Sequence, residues 1–290
     1  ANRIQFADNT STAQQRVVIG STNQASNVSL DGLGTLTLGN ITGSTANTVV
    51  DVTARAGLNV DGTITTGTGT IVLGADLKAD GTADNGTGLL NLLAGSSVTS
   101  ANTTTSAITL RGADIDVDTS GGVIVNASAA GGGVVLGGST ASRAMSLGGT
   151  NSAVTGVNLT DAELTKITTT ATGRITVGDT SQTGNITFTT ATPATTGGAA
   201  IYAVQSTAGG GGIVLDDDAA GTGATALAGG SSVVNLTAGT AGITATNANN
   251  AFAEIATTGA TVTLNTTGTI GTNANRIQFA DNTSTAQQRV

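Results

Sequence analysis

The chain has 290 residues, 43 of them Gly and one Pro, with 2% aromatic residues, 10% charged residues and a formal charge of −8. The absence of His and Cys excludes His-assisted nucleophilic catalysis, disulfide frameworks and thiolate metal sites. An acidic chain with two Lys and no basic cluster lacks the phosphate-neutralising surface that nucleic acid needs, and no run of 18 apolar residues offers a transmembrane helix.

The first predicted element, around Ile4 and Phe6, sits in the stretch ANRIQFADNTSTAQQRV at residues 1–17, and the same stretch returns unchanged at 274–290. The two are 273 residues apart, and a repeat of this kind governs every other reading. Identity extends to Asn9, Thr10 and Gln14, which no core would dictate, so it points to copying at the gene level. The expectation is one full tandem repeat over 1–273 and the start of the next over 274–290, a window on a longer array that begins at Ala1 rather than Met.

After Ile4/Phe6 the pattern apolar–any–apolar continues at Val28/Leu30, Leu36/Leu38, Leu58/Val60, Ile71/Leu73, Ile108/Leu110, Ile115/Val117, Val123/Val125, Val134/Leu136 and Met145/Leu147. It resumes at Ile175/Val177, Ile186/Phe188, Ile213/Leu215, Val234/Leu236 and Val262/Leu264. Period-two alternation predicts short strands with one buried face, with Thr suited to the outward positions. The apolar residues, 38% of the chain, are too many for disorder, and they are mostly Val, Ile, Leu and Ala. They cannot bridge the ~10 Å between the sheets of a sandwich, but they can fill a narrow core of stacked coils. The predicted fold is therefore all-β: a parallel β-helix, or β-solenoid, of Gly/Thr/Asn-rich coils. At roughly 20–30 residues per coil the period holds on the order of 9–14 coils and advances about 45–65 Å. One short helical turn is predicted near 160–167, where Thr160 and Glu163 have capping-box spacing and Leu159 and Leu164 can form a hydrophobic staple.

The run LTDAELTKITTTATGRITV (Leu159 to Val177), followed by GDTSQTGNITF, resembles repeats of giant bacterial surface proteins of the filamentous-haemagglutinin type. The resemblance implies a right-handed parallel β-helix in a secreted protein of the bacterial cell surface, acting as an adhesin or a fibre.

Few residues suggest chemistry. Asp216, Asp217 and Asp218 follow a strand and precede a Gly-rich turn, where three carboxylates can hold Ca²⁺; the alternative is a solvated acidic corner that discourages edge-to-edge docking. Asp114, Asp116 and Asp118 alternate with Ile115 and Val117 and are expected on one face of one strand, as a carboxylate pair in a polysaccharide-cleaving β-helix would be, or simply as a solvated face. The run Gly209–Gly212 lacks the context of a phosphate loop and reads as a flexible turn. The pairs Thr35/Thr37, Thr63/Thr65, Thr187/Thr189 and Thr261/Thr263 suggest an ice-binding ladder, but their spacing is irregular.

The reading carried forward is a non-enzymatic structural repeat that needs no cofactor: an extracellular rod or filament whose partners are further copies of itself, in the same chain or in neighbouring chains. Its functional residues are the inward columns and a junction formed by Ile270, Ile277 and Phe279 with Ile4 and Phe6. An adhesin stalk that binds cell-surface glycans is the alternative, and a polysaccharide-degrading β-helix ranks below it.

Overall fold

The computed structural model describes residues 4–6, 15–19, 27–43, 47–193, 198–217, 224–246 and 252–281. Its strands pair in parallel through four sheets, and these lie on three faces that the chain visits in turn. This is the parallel β-solenoid that the alternation predicts.

The first face is a sheet of ten strands running from Ile4–Phe6 through Val28–Gly32 to Val262–Thr266. Every step brings an inward side chain onto an equivalent one. Leu30, Val52, Leu73, Leu110, Leu136, Val177, Ala203, Leu236 and Leu264 form one column. Val28, Val50, Ile71, Ile108, Val134, Ile175, Ile201, Val234 and Val262 form its neighbour. Burial in these columns is nearly complete, as at Leu110 and Val134, which are both 0% exposed. Each coil adds its own apolar burial and its own ladder bonds, so stability accumulates along the axis.

The second and third faces begin on one sheet because strand Leu36–Thr42 turns a corner. Its Leu36 and Leu38 pair with Leu58 and Val60 on the second face, while Ile41 and Thr42 pair with Ile64 and Thr65 on the third. On the second face an outward row runs Thr37, Asn59, Asn91, Asp116, and the Asn59 amide reaches Thr37 Oγ1 at 3.4 Å. The third face continues through Val98, Val125 and Ile167, then Ala191 bridging to Leu227, then Ile255 and Phe279.

Coils vary more than the sequence suggests, from 21 residues (Val52 to Leu73) to 41 residues (Leu136 to Val177). The longest contains a fold-back on the second face. Strand Ala144–Gly148 is laid down first; the chain then returns through 149–155 and inserts strand Gly156–Thr160 beside it, on the side of strand Asp114–Val117. The predicted helical turn follows at once. It is a single turn, Asp161–Leu164, with Thr160 as N-cap and both bonds of the capping box formed. Ile167, expected at its end, opens the strand Ile167–Thr169.

One expectation is corrected. Val123 is 49% exposed, and Ile124 and Val125 are buried, because the strand there begins at Val125 and the chain turns in ahead of it. The glycine run makes the expected turn, and its packing is tight at Gly211. A Cβ on Gly211 would stand 2.6 Å from Gln205 Nε2 and 2.8 Å from the Thr183 carbonyl, so glycine allows this corner to stack tightly on its neighbours.

Candidate functional site

The returning copy of the repeated sequence begins shortly after the last strand of the first face, Val262–Thr266. Past strand Val262–Thr266 the second face continues through Ile270, which bridges in parallel to Ile243. The chain turns at Thr272 and Asn275, where the Asn275 side chain donates to the carbonyls of Ala245 and Thr246 at 3.2 and 3.0 Å. The strand expected around Ile277 and Phe279 starts at Phe279: Phe279, Ala280 and Asp281 stack on Ile255, Ala256 and Thr257 of the third face. Ile277 and Phe279 pack against the core, whereas Ile270 remains 47% exposed. With Leu264 they line a hollow of about 330 Å³.

The carboxylate of Glu254, which the sequence reading overlooks, fixes this seat. It is buried and accepts the Gln278 amide. Burial raises its carboxyl above the ordinary range; the Gln278 N–H opposes the rise and neighbouring Asp217 adds to it.

At the other end, Ile4, Gln5 and Phe6 pair with Leu30, Asp31 and Gly32 of the first face, and Ile4 is 63% exposed. Phe6 and Phe279 are the same position of the repeat, yet one lies on the first face and the other on the third.

The second candidate lies at the fold-back. Asp114 and Asp116 share the outward side of strand Asp114–Val117, as expected, but the strand ends at Val117. Asp118 instead begins the turn and accepts from the Ser120 amide at 2.8 Å. Asp114 Oδ1 takes two amide bonds, from Ile115 at 2.9 Å and from Asn158 in the inserted strand at 2.7 Å. Asp116 meets Glu163 of the helical turn, whose Oε2 accepts from the Thr160 amide and hydroxyl, both at 2.7 Å. Burial pushes both the Asp114 and Glu163 carboxyls up; the hydrogen bonds they accept oppose this, and the Asp116 side chain adds to the rise at each. The seam between the two strands is thus held by side-chain acceptors.

Beside it opens a cleft of about 460 Å³ lined by Asp114, Arg143, Thr87, Asn158 and the segment 151–156. Arg143 is anchored from behind. Its Nη2 donates to the Gly86 carbonyl at 3.0 Å and lies 3.8 Å from Asp76, a fully buried carboxylate.

The acidic turn is described only as far as Asp217. Asp217 is buried, Asp216 is half-buried and accepts from the Thr246 hydroxyl at 2.9 Å, and Asp218 lies outside the described residues. Among the described residues no group of three His, Cys, Asp or Glu is placed to hold a metal ion. The Thr pairs are spread over three faces: Thr37 on the second face, Thr63 and Thr65 on the third, Thr187 and Thr189 on the second, and Thr263 on the first. They form no common flat array.

The described residues define a class, a three-faced parallel β-solenoid. Comparison with protein-family models, curated proteins and solved structures gives no match.

Proposed function

We propose that this chain is the structural repeat unit of a secreted bacterial surface protein, in which successive copies stack end to end into an extracellular rod. One observation carries the reading: residues 279–281, which repeat residues 6–8, are seated by parallel pairing on the last complete coil. The beginning of one copy is thereby docked on the end of another. Ile270, Ile277 and Phe279 make the apolar part of this joint, and Glu254 fixes its backbone.

A repeat built this way sets length. Nearest-neighbour stacking gives every junction the same interface energy, and no metal or disulfide is needed to propagate it. The resemblance of the 159–188 run to filamentous-haemagglutinin-type repeats supports a cell-surface location. A second reading, an adhesin stalk, draws on the cleft, where Asp114 and Arg143 offer an acceptor and a donor to a glycan hydroxyl pair.

The rod is tested by cryo-electron microscopy of a chain carrying four consecutive 273-residue copies. Thin particles with ~4.8 Å layering and a longer axial repeat near 46 Å are the expected result. Compact particles whose length does not grow with copy number would overturn the reading and leave the cleft as the better lead.

A further inference from the structure

The two placements of the repeated sequence carry a second consequence, which rests on the rod reading. In the first copy Ile4–Phe6 lies on the first face, and among the described residues the chain reaches that face again nine times, the last at Val262–Thr266. In the second copy Phe279–Asp281 lies on the third face of the last coil, one face short of the position that in-phase stacking requires. We infer that each copy spans two-thirds of a coil more than nine coils, so that consecutive copies are turned by one face, a third of a turn, about the common axis.

The local chemistry favours this seat. The third face offers the Ile255 amide, which bonds the Gln278 carbonyl at 3.3 Å, and the Glu254 carboxylate, which takes the Gln278 amide. Asn275 ties the turn before it to the carbonyls of Ala245 and Thr246. The segment from Gly271 to Asn275 is too committed to that turn to let Ile277 reach the first face above Leu264, where in-phase stacking would put it.

Three copies then restore the starting phase. With ~4.8 Å per layer one copy advances about 46 Å, and the full structural repeat is about 140 Å. Any outward feature, the Asp114–Arg143 cleft included, points to three sides in succession, so the rod presents it all round.

Because the chain has no Cys, engineered pairs give an unambiguous test. Ala256 and Ala280 are register partners, and adjacent strands lie ~4.8 Å apart, within the ~4.4–6.8 Å Cα separation of a disulfide. In-phase stacking would instead bring Gln278 beside Asn265. The double variants Ala256→Cys/Ala280→Cys and Asn265→Cys/Gln278→Cys are made in a two-copy chain, oxidised, and read by peptide mass spectrometry. The inference expects the first pair to link nearly completely and the second to stay reduced. Linking of the second pair, of both equally, or of neither overturns it. Small-angle X-ray scattering of the unsubstituted one- and two-copy chains separates the two levels of the argument. A length gain near 46 Å with the second pair linked overturns only the phase, whereas no gain overturns the rod itself.

Discussion

Glu163 Oε1 accepts the Val117 amide at 2.8 Å across a sequence separation of 46 residues, while its other oxygen closes the capping box of its own helical turn. One carboxylate therefore serves two elements: it starts the turn and supplies the acceptor that strand Asp114–Val117 lacks where the inserted strand interrupts the layer. Glu163→Ala leaves the buried Val117 amide and the part-buried Thr160 amide without this acceptor. At ~1–3 kcal/mol for a buried unsatisfied donor and less for the part-buried one, the expected loss is about 2–4 kcal/mol, measured as a lower urea midpoint with an unchanged slope.

Asp114 predicts a pH dependence. Burial lifts its carboxyl above the usual value of ~3.9, so the folded chain holds this proton more tightly than the unfolded chain. The associated stability is complete below the ordinary value and disappears as pH rises through the raised one. Because Oδ1 alone takes both amide bonds, Asp114→Asn keeps them and removes the titration. The variant should match the parent near pH 3 and gain relative stability by pH 7; a variant that loses ground as pH rises would contradict the assignment.

Asp76 adopts a left-handed backbone conformation with φ of 58°, fully buried. Its Oδ1 accepts from the Asn85 and Gly86 amides at 2.9 and 2.7 Å, and its Oδ2 accepts from the Ser139 hydroxyl at 2.5 Å, with Arg143 beyond. Asp76→Ala strands these donors and the Arg143 charge, for an expected cost of about 3–5 kcal/mol. Asp76→Asn should cost less, since Asn tolerates this conformation and retains Oδ1. Thermal unfolding of the two variants side by side distinguishes them.

Stacked coils leave little room at their corners. A Cβ at Gly69 would lie 1.8 Å from the Thr48 carbonyl oxygen, a backbone atom that cannot step aside, so Gly69→Ala is expected to cost about 3 kcal/mol or more. Gly210 has nothing within 4 Å, and Gly210→Ala should stay within about 0.5 kcal/mol of the parent. Chemical denaturation of both, with Gly210→Ala as the control, measures the contrast.

The rod predicts that Ile270 matters more between copies than within one. It is 47% exposed, so Ile270→Asp should leave the midpoint of the 290-residue chain nearly unchanged. In a two-copy chain the same change in the first copy should split one cooperative calorimetric transition into two, because the interface term is lost. A single sharp transition in that variant would show that Ile270 takes no part in the joint.

The sequence by itself determined the inward columns, since period-two alternation maps directly onto a pleated strand and Val28/Leu30, Ile108/Leu110 or Val234/Leu236 can face only one core. It also determined the capping box at Thr160 and Glu163, a contact over three residues, and the identity of the two ends. It misplaced Val123, because in a run of consecutive apolar residues alternation has two equally good phases. What only the tertiary structure decided are relationships between coils: Glu163 on Val117, Asn158 on Asp114, Glu254 on Gln278, and the face on which each copy of the repeat is seated. These depend on how many residues each coil spends at its corners, from 21 to 41 per coil, and that length is set by loop packing that leaves no periodic trace in the chain. Register along a strand is local and legible; phase around the solenoid is the accumulated sum of its loops.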